Sequence, residues 1–416
     1  MLLRTLKIGL EVESYGHCFN DPDGKADDVL KDLYDPKGKI LYVFRQDTKG
    51  NLNRDTALEL SDKNSHLVAT AERGAGKSSI RTEFIYGGDI DQPLSPGGER
   101  SKKVAQRIQQ WIKLWSSIPR EEWNTIYVQP GFTDTPSQTS HFPIYRLNKC
   151  DTDPTVISQI TIGMPLAGFD RIVKEEQLYR HFFASEAPSV NERRREEAQC
   201  ITQKFVSWTG KQRGWVGNGY TQKYAQETAT GFLCIVQAYV SAAREQNPEG
   251  YNRLKLKVPF MPRTDFRTML HLVCDTMTST AATTFRKDLA TEFFSHDHKP
   301  NLKDLKWSFA SRKGSQVGEI TVEVTKFLKD LETDCGDTSK LTDLITQGDT
   351  NSNSQIGALG RKVERFLDSK DDKLLGPILE FRQLEVVVAS KLVPMLQNLE
   401  MEVAKVHKEV LNSNSA

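Results

Sequence analysis

The stretch Leu6–Tyr15, LKIGLEVESY, constrains the fold more tightly than any other part of the chain. Read with a period of two, Ile8, Leu10 and Val12 fall on one face, and Gly9, Glu11 and Glu13 on the other. The spacing predicts a strand with an apolar side and a side carrying two carboxylates. Side chains at i and i+2 of one strand face lie roughly 7 Å apart, given a rise of about 3.3 Å per residue. Carboxylates at that separation can share a divalent cation or flank a bound phosphate. The plain alternative is an edge strand whose outer face is solvated.

The rest of the first part is also strand-rich. Lys39–Gln46, Thr56–Leu60, His66–Thr70, Arg81–Tyr86, Trp123–Val128, Ile144–Leu147 and Ile157–Ile162 read as strands between polar or Gly/Pro turns. Asp27–Tyr34 reads as a short amphipathic turn. One helix interrupts them, Arg100–Ile118, where Val104, Ile108, Trp111, Ile112 and Trp115 recur at three- and four-residue steps. Strands without regular strand–helix alternation predict an α+β fold with a mainly antiparallel sheet. From Leu166 the pattern turns helical: Leu166–Ser185, Asn191–Gly210, Thr221–Glu245, Thr264–Met277, Ile320–Thr333, Ile356–Asp368 and Leu379–Leu411. Thr278–Thr284 reads as a polar link, Leu254–Pro262 as extended, and Asp349–Ser354 as a loop. The expected division is a sheet domain over 1–165 and a largely helical domain over 166–416.

Lys+Arg 56 against Asp+Glu 55 leaves a net charge of +1, so no global attraction to nucleic acid or anionic membrane is expected. The six cysteines have no C-x-x-C spacing and read as thiols of a reducing compartment. The opening residues reach their acidic pair too soon for a signal-peptide core. The longest apolar run, Gly231–Ala243, is broken by Gln237 and too short to span a bilayer. These features suggest a soluble, cytoplasmic protein, or an effector delivered by a secretion machine, acting on a small molecule or peptide.

Ala71–Ser78, AERGAGKS, fits a relaxed phosphate-binding loop, with Lys77 on the phosphates and Ser78 on magnesium. Such a loop opens a long helix, whereas Ser79–Tyr86 is β-prone, so a hairpin between two strands is the favoured reading. His296-Asp297-His298 could ligate a metal but has no further ligand nearby in sequence. Cys150 and His141 are too loosely placed to form a nucleophile–base pair. Gln159 and Thr161 alternate with Ile160 and Ile162, which puts both polar side chains on one side of their strand.

Gly9-Leu10-Glu11-Val12-Glu13 resembles the G-x-E-x-E opening strand of the glutamine synthetase/γ-glutamylcysteine ligase-like superfamily, which includes the amidoligases. Thr82-Glu83-Phe84-Ile85 is similar to the following strand with its single metal-binding Glu. Gln159-Ile160-Thr161 stands where those proteins carry H-x-H or H-x-N, and no E-x-R closing strand is present. The resemblance implies a curved antiparallel sheet that binds ATP and magnesium and activates a carboxylate. It implies Glu11, Glu13 and Glu83 as metal ligands and an arginine on the phosphates, with Arg263 and Arg286 as candidates. Three readings follow: an ATP/Mg-dependent amide ligase or a degenerate relative, a non-catalytic interaction or effector protein, and a P-loop nucleotide-binding protein.

Overall fold

The computed structural model describes residues 8–20, 40–46, 52–54, 61–62, 67–73, 79–86, 94–117, 119–121, 126–131, 145–245, 258–262, 264, 266–294, 304–313, 316–332, 363–365 and 375–415. They fall into two units. A sheet unit takes its residues from 7–160 and 384–401, and a helical unit takes most of its residues from 161–383 and 402–416.

The sheet unit contains β1 (Ile8–Asn20), β2 (Ile40–Gln46), β3 (Leu52–Arg54), β4 (Ser61–Asp62), β5 (Leu67–Arg73), β6 (Ser79–Tyr86), helix α1 (Glu99–Ser116), β7 (Ile126–Gly131) and β8 (Tyr145–Cys150). β9 (Thr155–Gly163) belongs to it as far as Ile160. The strands run in the order β1-β6-β5-β2-β7-β8, each antiparallel to its neighbour, with β3 beside β2 and β4 beside β5. Alternation on β1 holds: Leu10, Val12 and Ser14 are buried, while Gly9, Glu11, Glu13 and Tyr15 are half-buried. The buried face meets α1, where Val104, Ala105, Ile108, Trp111 and Ile112 form the inward stripe and Trp111 lies 5.9 Å from the Phe84 ring.

The helical unit follows with α2 (Leu166–Lys174), α3 (Glu176–Phe182), α4 (Pro188–Lys211), α5 (Gln222–Glu245), β10 (Phe260–Pro262), α6 (Phe266–Asp275), α7 (Ser279–Asp288), β11 (Lys306–Lys313), β12 (Gln316–Glu323), α8 (Val324–Glu332), β13 (Val363–Arg365) and β14 (Leu375–Phe381). Its centre is the crossing of α2 and α5. A Cβ on Gly231 would sit 2.0 Å from the Leu166 carbonyl oxygen, so the two backbones meet without a side chain between them. Phe169, Phe182, Phe260 and Phe381 pack beside this crossing, with Phe169–Phe260 centroids 4.8 Å apart. The last elements are β15 (Val387–Val388), paired with β9 in the sheet unit, and α9 (Leu392–Ser415). α9 belongs to the sheet unit up to Met401 and to the helical unit from Glu402. Its Glu400, fully buried, accepts the Ser95 and Ser101 backbone N–H groups at 2.9 and 2.7 Å and so caps the start of α1.

The fold is α+β, and no described helix is long and apolar enough to cross a membrane. Several expectations need correction. The boundary falls inside β9 rather than at 165, and 384–401 returns to the sheet unit, so 166–416 is not one domain. Leu166–Ser185 is two helices, broken where Glu175 turns extended at φ −84°, ψ 116°. Thr278–Thr284 is not a link but the start of α7, where Thr283 and Thr284 hydroxyls donate to the carbonyls of Ser279 and Thr280 at 2.9 and 3.0 Å. Ile320 lies in β12, and the helix there begins only at Val324, because β11 supplies a full antiparallel partner. Leu379–Phe381 completes β14, and α9 starts at Leu392 with Pro394 in its first turn, where a missing N–H costs nothing. Val363–Arg365 is a strand, while the rest of Ile356–Asp368 and all of Asp27–Tyr34 and Asp349–Ser354 lie outside the described residues.

Gly231→Ala is expected to destabilise the protein by roughly 1–3 kcal/mol, the usual cost of forcing extra volume into a packed contact. Urea unfolding followed by the far-ultraviolet signal measures it; an unchanged midpoint would show that the α2–α5 crossing does not depend on this contact.

Candidate functional site

Three glutamates predicted from the sequence share one face of adjacent strands. In the β1–β6 register Glu13 stands opposite Glu83, and Glu11 stands opposite Ile85. Residues directly opposite in an antiparallel pair have Cβ atoms about 4.5–5.5 Å apart. Glu13 and Glu83 are therefore close neighbours, and Glu11 lies two residues along the same side of β1. All three are half-buried. The core forces this arrangement, since seating Leu10, Val12, Phe84 and Tyr86 inward leaves the intervening positions on the other face.

A feature that sequence reading missed lies beside the pair. The register passes from Ser14–Thr82 directly to Cys18–Arg81, so Tyr15, Gly16 and His17 have no counterparts on β6. Beyond this bulge β1 also pairs with β8, from His17–Cys150 to Asn20–Arg146. The Tyr15 hydroxyl, brought back toward the strand, donates to Glu13 Oε2 at 3.3 Å. The glycine at 16 was the available signal, because glycine inside a strand pattern marks bulges. Among the described residues, no group of three or more His, Cys, Asp or Glu is arranged to hold a metal ion by itself. The donor set on this face suits a cation that takes two carboxylates and completes its shell from a ligand or water.

The remaining candidates are placed as follows. Gln159 and Thr161 lie on the half-buried side of β9, alternating with buried Ser158, Ile160 and Ile162; Thr161 is already part of the helical unit. Lys77 and Ser78 lie outside the described residues, but β5 and β6 pair antiparallel up to Arg73–Ile80. A strand thus begins at Ser79, where a phosphate-binding loop requires a helix, and the hairpin reading holds. Arg263, His141 and the His296–His298 cluster also lie outside the described residues. Arg286 is on α7 of the helical unit, and its Nε donates to Cys274 Sγ at 3.3 Å.

The helical unit carries a separate open groove of about 680 Å³ over α2 and α5. Most of its charges are matched to one another. Asp170, buried at 1 % exposure, accepts Thr230 Oγ1 and Lys174 Nζ, each at 2.7 Å. Arg171 reaches Glu227 and Glu409, each at 3.1 Å. Burial pushes the Asp170 carboxyl up to about 6, with Lys174 and Thr230 opposing the shift. Burial also pushes up the nearby Cys234 thiol, which makes it a poor nucleophile. Paired in this way, the groove reads as a structural junction.

No family model matches the chain, and comparison with curated proteins and with solved structures returns no match.

Asp170 binds its proton more tightly in the folded than in the unfolded chain. Its stabilising contribution is therefore full below about pH 4 and is lost as pH rises through about 6. The difference in unfolding free energy between wild type and Asp170→Asn is expected to fall by about 3 kcal/mol over that window, then level off. Chemical unfolding at pH 4, 5, 6 and 7 reads it directly, and a flat difference would place the carboxyl in a wetter environment than the geometry describes.

Proposed function

We propose that the face of β1 and β6 bearing Glu11, Glu13 and Glu83 binds magnesium–ATP, and that the chain is an ATP-dependent carboxylate–amine ligase or a degenerate relative of one. The observation that carries this reading is the Glu13–Glu83 register. Like charges directly opposite on neighbouring strands destabilise the pair. A divalent cation between them turns that repulsion into attraction. Magnesium is commonly held by one or two carboxylates together with phosphate oxygens, which is the coordination two opposed glutamates leave open.

Each residue then has a task. Glu13 and Glu83 hold the cation, Glu11 extends the acidic face by one side-chain step, and the Tyr15 hydroxyl steadies Glu13. Magnesium, when bound, would neutralise charge on the transferring phosphoryl group. In the reaction a carboxylate oxygen of the substrate attacks the terminal phosphorus and ADP departs, giving an acyl phosphate. An amine then attacks the acyl carbon and inorganic phosphate leaves, closing the amide. The chain's own contribution is to hold both partners in line and keep water from the acyl phosphate.

Calorimetric titration with ATP in the presence and absence of magnesium tests the proposal. Wild type is expected to bind ATP only with magnesium, and Glu13→Gln or Glu83→Gln to weaken binding at least tenfold. The same variants, in the presence of a chelator, should be more stable than wild type by a few tenths to about 1 kcal/mol, because the opposed charges are gone. Absence of magnesium-dependent binding by wild type would end the ligase reading and favour a non-catalytic role.

A further inference from the structure

The near-zero net charge of the chain, Lys+Arg 56 against Asp+Glu 55, conceals a local excess on α1. That helix carries Arg100, Lys102, Lys103, Arg107 and Lys113 against the single acid Glu99. Other described helices are more evenly mixed; α9 combines Glu402, Lys405, Lys408 and Glu409. Because the apolar stripe of α1 lies against the sheet, its charges are confined to the outer arc. Between 102 and 113 every residue that is not buried is Lys, Arg or Gln. This arc lies on the side of the sheet opposite to Glu11, Glu13 and Glu83.

The cations are presented in a fixed row. Among the described residues Lys102 takes Glu99 at 3.6 Å, whereas the exposed Lys103 and Lys113 make no ion pair. Arg107 lies over the Trp111 ring at 5.3 Å and donates to Gln110 Oε1 at 3.3 Å, which holds its guanidinium along the helix surface. Glu400 caps the start of the helix, Gln109 Nε2 donates to the Ala389 carbonyl at 2.6 Å, and Ser116 Oγ donates to the Asp151 carbonyl at 2.8 Å. The row from Lys103 to Lys113 is about 15 Å long, at about 1.5 Å per residue.

We propose that this face of α1 docks on the sugar–phosphate backbone of double-stranded DNA, independently of base sequence and of the acidic face of β1 and β6.

Charge complementarity calls for a polyanion, and the composition of the arc selects among polyanions. A helix that seats in a bilayer surface needs exposed apolar side chains, and a stable protein partner needs an apolar centre to its contact. From Lys102 to Lys113 the arc offers neither. It also offers no exposed aromatic ring, the platform on which single strands stack their bases. Lys, Arg and Gln are side chains that contact duplex phosphates. One strand of a duplex presents a phosphate about every 3.4 Å of axis, so a row of about 15 Å spans roughly four of them. The wide major groove of B-DNA admits a helix between its bordering phosphates, whereas the A-form groove of RNA is too deep and narrow.

Fluorescence anisotropy of a short labelled DNA duplex, titrated with the full chain in chelator at several salt concentrations, tests this. Wild type should bind with a Kd of about 1–100 μM near physiological salt. The logarithm of the association constant should fall against that of salt with a slope of about −3, from about −0.9 for each phosphate neutralised by Lys103, Arg107 and Lys113. Each single change, Lys103→Gln, Arg107→Gln or Lys113→Gln, should flatten the slope by about 1. The triple variant should bind at least tenfold more weakly. All three side chains are exposed, so these substitutions leave the core intact. Lys408→Gln, at an exposed position on α9, should change neither affinity nor slope. Absence of binding by wild type at low salt, or a triple variant that keeps the wild-type slope, would overturn the proposal. So would tighter binding to single-stranded DNA, duplex RNA, phosphatidylserine vesicles or polyglutamate, each of which would assign the face to a different partner. With neither magnesium nor ATP in the titration, the outcome is separate from that of the ligase reading.

Discussion

The sheet unit depends on the register between β1 and β6. One face of that pair seats Leu10, Val12, Phe84 and Tyr86 in the core, and the antiparallel ladder then sets Glu13 against Glu83 on the other. A slip of one residue would turn Glu11 and Glu13 toward α1 and Trp111, an arrangement no packing gain could offset. Hydrophobic burial thus enforces a close approach of carboxylates that electrostatics alone would avoid. The bulge at Tyr15–His17 adds to the effect, since it frees β1 from β6 for three residues immediately beyond the acidic pair and lets the strand take β8 as a second neighbour.

Buried carboxylates elsewhere in the chain are handled differently. Glu400 receives two backbone N–H groups from the approach and first turn of α1, so its charge completes a helix cap. Asp170 receives a lysine and a threonine beside the Gly231 contact, where the close approach of α2 and α5 leaves little room for water. Both carboxylates serve packing, and both are matched to donors on the elements they join. Glu13, by contrast, receives a neutral hydroxyl at 3.3 Å and faces a second carboxylate across the ladder.

Much of this was readable from local pattern. The period-two alternation of β1 and β9 and the 3.6-residue stripe of α1 place their apolar residues correctly, because each element meets one core on one side. The face of Glu83 was not readable, because four other strands separate β1 from β6 in sequence and only the register sets Glu83 opposite Glu13. What local pattern could not carry depends on distant partners. Nothing near Glu400 indicates that it caps a helix starting three hundred positions earlier in the chain. The threonines of α7 look like a loop until their hydroxyls are seen bonded back to carbonyls one turn before. Ile320 reads as helix because the apolar spacing of α8 extends backward through it, and only the β11 ladder resolves the ambiguity.

The same limit explains why Arg171 and His407 escaped a reading of the sequence. Arg171 sits in an ordinary amphipathic helix, and His407 in another, more than two hundred residues away. Their significance comes from α9 lying against α2, where one guanidinium joins three helices and one imidazole is sealed among aliphatic side chains. A histidine on an apolar helix face is ordinarily a satisfied core residue with no consequence for behaviour. Here it is fully buried on a helix that Arg171 ties to two others, so its setting is fixed by partners far away in the chain.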